Sequence, residues 1–144
     1  MREERAAGVA HVLARAVRDG EVAAGDAVRI LKHELRRLNT NRSHLLPTRS
    51  TGAQVSIDRY APERPPRNGS DEALHADHVY PFTADILADV TTLDGWVVEL
   101  RKLATVVCVT AKENYALERV ENAGLRGPEK YAAAGVTFAT TVPW

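Results

Sequence analysis

The chain reads as an α+β fold, on three observations. Residues before 39 repeat apolar side chains at helical spacing, two short strand-like stretches lie at 74–79 and 105–110, the second of them β-branched, and the sequence between and after those stretches is again helical in period. The first helix spans 3–18, where Val9, Val12, Leu13, Ala16 and Val17 share a side and arginines take the other; Asp19-Gly20 stops it. A second runs from about Ala23 to Leu38, with Val28, Ile30, Leu31, Leu35 and Leu38 apolar. Two helices joined by so short a turn predict an αα-hairpin. Such a hairpin cannot bury both faces alone, so it packs on the rest of the chain or on a second copy.

From Asn39 to Ser70 the texture changes to Asn, Ser, Thr, Gly and Pro, with Pro62, Pro65, Pro66, Asn68 and Gly69 as breakers. The alternation in Val55–Tyr60 predicts a short strand. The segment holds Arg42, Arg49, Arg59, Arg64 and Arg67 against only Asp58 and Glu63. It reads either as a basic arm lying along nucleic acid or as a poorly ordered linker.

Leu74 to Val79 predicts a strand closed by Pro81, followed by helices at 83–90 and 92–103. Thr105 to Thr110 is the clearest strand, short and β-branched. Thr110 then serves as N-cap of a helix from Ala111 to about Ala123, with Glu113 completing a capping box and Gly124 just past the end. Pro128 opens a short helix over 128–134, and Val136–Trp144 is an apolar tail that docks on the core or pairs as an edge strand. The domain reading is a hairpin at 1–38, a basic connector at 39–72 and a core at 73–144, together one compact unit.

At 144 residues, 44% hydrophobic and 26% charged, the composition is that of a globular domain. No apolar run approaches the roughly 20 residues of a membrane span, and the amino terminus carries no secretory pattern. The expectation is a cytoplasmic protein with no membrane partner. A single cysteine, Cys108, excludes an internal disulfide and a multi-thiolate zinc site, and reads as a buried apolar filler. Net charge is zero, yet residues 1–69 carry thirteen Lys/Arg against eight Asp/Glu and residues 70–144 carry six against eleven. A basic half suits a phosphate backbone and an acidic half a cation.

The chemistry-bearing stretch is Ala76-Asp77-His78-Val79-Tyr80-Pro81, read with Cys108–Asn114. Phosphodiester hydrolysis needs a water activated by a base and a cation that absorbs charge on the phosphate and leaving oxygen. Imidazole titrates near ~6.5 and suits the base; carboxylate and amide oxygens suit Mg²⁺ or Mn²⁺. Neighbours on a regular strand point to opposite faces, so Asp77 and His78 share a site only where the strand ends or bends. Antiparallel pairing of 73–79 with 105–110 would bring the first turn of the next helix, with Asn114, back beside Asp77.

This arrangement resembles the HNH, or ββα-metal (His-Me finger), endonuclease superfamily over residues 73–123. Asp77-His78-Val79 with Pro81 matches its acid-His-hydrophobic-Pro element, and Asn114 matches its metal-binding residue in the final helix. The resemblance implies a ββα-metal core, Asp77 and Asn114 as ligands of one divalent ion, and His78 as general base; the helices read between the two strands make that excursion longer than the family's. The same resemblance implies a metal-dependent endonuclease hydrolysing nucleic-acid phosphodiester bonds, with DNA favoured over RNA as substrate. The family's middle asparagine has no counterpart, since no Asn lies between Asn68 and Asn114; Asp94, Thr105 or a backbone carbonyl are the candidates for its place.

His75 and Glu113 are accessory ligand candidates, although a surface histidine and a capping residue explain them as well. Arg42, His44, Arg49, Arg59 and Lys112 are the candidate nucleic-acid contacts, and Glu118 and Glu121 read as solvated helix face. The amino-terminal helices are the candidate homodimer contact, because cutting two strands calls for two sites about a two-fold axis. The rival reading is a non-catalytic nucleic-acid-binding, regulatory or interaction protein that needs no divalent ion.

Overall fold

The computed structural model describes residues 2–38 and 42–144, so the first three residues of the connector lie outside it. Along the chain run α1 (Arg2–Arg18), α2 (Ala24–Leu38), a 3₁₀ turn (Ser43–Leu45), α3 (Thr51–Tyr60), β1 (Leu74–His78), α4 (Ala84–Asp89), α5 (Leu93–Leu103), β2 (Val106–Thr110), α6 (Ala111–Asn122) and α7 (Glu129–Ala133). The fold is mixed α+β, with one two-stranded antiparallel sheet. No helix among the described residues is long and apolar enough to cross a membrane. The chain divides into two compact units, Met1–Thr40 with Pro81–Thr105, and Asn41–Tyr80 with Val106–Trp144.

In the first unit α1 packs against α2, α4 and α5. The buried side of α1 is Ala6, Ala7, Ala10 and Ala14, which corrects the expectation built on Val9, Val12, Leu13, Ala16 and Val17; Val12 is 55% exposed. Small side chains at helical spacing let helix axes approach closely, and the bulk comes from the other side, where α5 buries Trp96, Leu100 and Leu103. The alanines are the contact because their partners are large. Helix α2 buries Ala27, Leu31 and Leu35 and leaves Ile30 41% exposed. Thr92 starts α5 by accepting a hydrogen bond from Gly95 N at 3.0 Å. The helices inserted between the two strands thus belong with the amino-terminal hairpin.

The second unit is built on the sheet. β1 and β2 pair as expected, with Leu74 opposite Thr110, Asp77 opposite Val107 and His78 opposite Val106. Each sheet face carries its own core. Val107 and Val109 pack with Val79, Leu117, Tyr131 and Val136 on one side; Cys108 packs with Leu46, Ala53, Leu74 and Val106 on the other. Alternation along the strands divides the two sets.

The strand expected at Val55–Tyr60 is instead part of α3. Ser50 caps that helix by accepting from Ala53 N at 2.9 Å, and the buried positions, Ala53 and Ser56, are three apart while Val55 is 52% exposed. Six residues of alternation did not distinguish the two periods; the cap and the tertiary partner decided. The chain just before α3 runs along β2, with Cys108 N donating to Thr48 O and Ser50 N to Cys108 O, both 2.9 Å. The carboxy-terminal tail both pairs and docks. Ala139 N donates to Arg49 O at 3.0 Å, and Phe138 and Trp144 pack on the Tyr131 ring.

Candidate functional site

The capping box at the start of α6 is formed: Thr110 accepts from Glu113 N, and Glu113 accepts from Thr110 N at 2.9 Å. The same Glu113 oxygen accepts from Ser50 Oγ at 2.6 Å. A Cβ on Gly52 would stand 2.9 Å from that carboxylate, which explains the glycine. Glu113 is therefore tied to two helix starts, and its capping role accounts for it in full.

Asp77 lies on the face of the sheet covered by α6 and α7. Its Oδ2 accepts a 2.6 Å hydrogen bond from the Tyr131 hydroxyl and pairs with Lys130 Nζ at 3.0 Å. Lys130 is a buried lysine at the start of α7, its side chain 4% exposed; its ammonium also donates to His78 O at 2.8 Å and to Glu121 Oε1 at 2.9 Å. Burial, then the Asp77 charge and hydrogen bond, push the Tyr131 phenol far above its ordinary range. At neutral pH Tyr131 is a fixed donor.

His78 is opposite Val106 in an unbroken ladder, so its side chain belongs to the face of Leu74 and Cys108, across the sheet from Asp77. His75 shares the Asp77 face and is exposed. Asn114 is half-buried and lies three residues before Leu117 and seven before Glu121, on one side of α6. Its end of the helix is anchored upstream of β1, with Ala111 N donating to Ala73 O at 2.7 Å and Lys112 N to Asp71 O at 3.2 Å. Glu121, not Asn114, is the α6 residue joined to the Asp77 cluster. This corrects the reading of Glu121 as solvated helix face. Asp94 and Thr105, considered for the missing asparagine, belong to the first unit.

An ammonium 3.0 Å from Asp77 Oδ2 holds the space that a cation on that oxygen would take. Two unit charges about 4 Å apart repel by about 4 kcal/mol at an effective dielectric near 20, and a divalent ion doubles this. Among the described residues no three His, Cys, Asp or Glu side chains gather around one point. As arranged, Asp77, His78 and Asn114 do not fit one ion.

A different cluster is brought together in the second unit. Arg42, Ser43 and His44 on one side, and Arg64, Pro65, Pro66 and Arg67 on the other, line a cavity of about 240 Å³ with Leu74. Partial desolvation, then the charges of Arg64, Arg42, Arg49 and Arg67, hold the His44 imidazole below its ordinary value. Arg42, Arg64 and Arg67 are exposed, and no carboxylate pairs with them among the described residues. Arg49 contributes charge but is spent structurally, donating to Leu46 O, Gln54 Oε1 and His44 O at 3.1, 3.2 and 3.2 Å. Arg59 pairs with Glu72, and Lys112 lies apart as an exposed side chain on α6. Burial pushes the Cys108 thiol up to about 11, consistent with an inert apolar filler.

Of the residues that matter here, Lys130, Tyr131, Arg64 and Arg67 were missing from the sequence-based site. The two arginines were visible as part of a basic segment; nothing local marks Lys130 as buried. Comparison with family models, curated proteins and solved structures returned no match to this chain.

Proposed function

We propose that this protein binds nucleic acid through the phosphate backbone, without needing a divalent ion, and that the arginine-lined cavity around His44 is the contact. One observation carries the reading: three exposed arginines from two separate segments converge on one concavity and, among the described residues, pair with no carboxylate. Guanidinium groups match phosphate geometry with paired donors, and each phosphate neutralised releases counterions. Duplex binding should weaken with salt, the slope of log K against log[salt] being about −3 for three contacts at about −0.9 each. Fluorescence anisotropy with short duplex DNA and RNA, in EDTA, tests it. The expected outcome is retained binding in EDTA, with a loss of about 10-fold or more and a shallower salt slope in Arg42→Ala/Arg64→Ala/Arg67→Ala. Unchanged binding in that variant would refute the assignment.

A second reading is an HNH-type endonuclease, DNA the favoured substrate. What supports it is the order of elements: Asp77-His78 end a strand whose antiparallel partner leads directly into α6, and α6 packs on both strands. His78 also shares a sheet face with Leu74, which lines the arginine cavity. It would require Asp77 to leave Lys130. Plasmid incubated with Mg²⁺ or Mn²⁺, against EDTA and His78→Ala, decides between cutting and binding. Pairing of two copies through α1 and α2 stays with either reading as a proposal. Val12 and Ile30 are the exposed apolar side chains it would cover.

A further inference from the structure

We propose that Lys130 is the built-in cation of an oxygen cage, doing at the end of β1 the structural work that a bound metal ion does elsewhere, and that the cage accepts a hard divalent ion once that ammonium is removed. An ammonium has three N–H donors and no acceptor. Lys130 meets three oxygens, His78 O at 2.8 Å, Glu121 Oε1 at 2.9 Å and Asp77 Oδ2 at 3.0 Å. The His78 carbonyl and the Glu121 carboxylate accept its hydrogen bonds and the Asp77 carboxylate joins as an ion pair, so the three oxygens come from different kinds of position: a backbone carbonyl, a helix carboxylate and a strand carboxylate. The side chain is 4% exposed, so water does not share the coordination to any large extent.

The surroundings are those of a cation site rather than of an ordinary ion pair. Two carboxylates face one ammonium, leaving the cluster with formal charge −1, and the Tyr131 hydroxyl donates to the same Asp77 oxygen at 2.6 Å. All the acceptors are hard oxygens, the class that Ca²⁺, Mg²⁺ and Mn²⁺ take. Calcium–oxygen distances are about 2.3–2.6 Å, so the oxygens need close in by only a few tenths of an ångström around an ion at the Nζ position. Taking away the lysine leaves two carboxylates with no counter-charge, which a divalent ion neutralises. With Lys130 in place, no such ion enters. The proposal stands on this geometry alone and is independent of what the arginine cavity binds.

The test uses the full chain as wild type, Lys130→Ala, and Lys130→Ala/Asp77→Asn. Terbium stands in for calcium, because the Tyr131 ring beside Asp77 sensitises its luminescence. Expected for Lys130→Ala are saturable luminescence displaced by Ca²⁺ and a Tm that rises by about 3 °C or more in about 10 mM Ca²⁺. Both effects should be absent from wild type and lost in the double variant. A folded Lys130→Ala without a Ca²⁺ response overturns the proposal, and so does a wild-type response that Asp77→Asn removes. Should Lys130→Ala not fold, acylation of native wild type decides: Lys130 must stay unmodified while Lys32 and Lys112 react. Reaction of Lys130 at their rate overturns it.

Discussion

At the scale of single residues, charge neighbours decide what each titratable group does. His44 is held below its ordinary pKa by partial desolvation and then by Arg64, Arg42, Arg49 and Arg67. A phosphate placed among those arginines cancels part of their field, so the bound complex holds a proton on His44 more tightly than the free protein does. If the arginine cavity is the phosphate contact, binding is linked to proton uptake, and affinity should rise as pH falls through the ordinary histidine value near ~6.5 toward the lower value of the free protein. Anisotropy titrations between about pH 7.5 and 5.5 should show tighter binding at the acid end. In His44→Gln the protein's share of that trend should vanish. Asp77 makes the complementary point. Its sequence context, beside a histidine and four residues before a proline, matches the acid of the resemblance drawn from the sequence, yet its carboxylate is committed to Lys130 and Tyr131. Residue identity gave the chemistry that was available; the partner chose which chemistry is realised.

Among the elements, α6 shows what local sequence can decide. Thr110 and Glu113 predict its start, and the box forms as predicted. Sequence could not show that Ser50, the N-cap of α3, would donate to the same carboxylate. Glu113→Ala should therefore cost more than a lone cap, about 2–3 kcal/mol against about 1, measured by urea unfolding. If the arginine cavity is the contact, nucleic-acid affinity in EDTA should stay unchanged, because Glu113 lies outside that cavity. A loss of binding at unchanged stability would instead make Glu113 a ligand-contacting group. Helix α3 is the contrasting case. Its period was ambiguous over Val55–Tyr60, and the buried pair Ala53 and Ser56 became a helical stripe only through packing on β2. For α1 the helix was legible but its buried side was not. Counting large apolar residues selects the valines, whereas close packing against Trp96, Leu100 and Leu103 selects alanines.

For the whole molecule the decisive fact is that the chain leaves the second unit at Tyr80 and returns at Val106, and spends the interval completing the first. Residues 1–38 therefore do not form a detachable hairpin. Trp96, Leu100 and Leu103 depend for their burial on the unit that α1 and α2 help to make. A chain shortened to begin at residue 42 should expose them, giving a red-shifted Trp96 emission and aggregation. Replacing 81–105 by a short polar linker in that shortened chain should restore solubility, and should keep EDTA-insensitive binding if the arginine cavity is the contact. A soluble shortened chain with an unchanged tryptophan spectrum would count against this division.

Periodicity and capping chemistry are near-neighbour properties, which is why the two helical segments before residue 39, the two strands, their antiparallel pairing and the start of α6 could be read from the sequence alone. The same is true of the basic character of the connector, which depends only on composition. Where charges meet is a different kind of fact. Lys130 reaches Asp77 across more than fifty residues, and Arg64 and Arg67 reach His44 around a helix that local pattern read as a strand. Burial and Coulombic energy depend on distance in space, and no spacing along the chain determines it; only the tertiary structure could decide that an ammonium sits at Asp77 and that the arginines gather around His44.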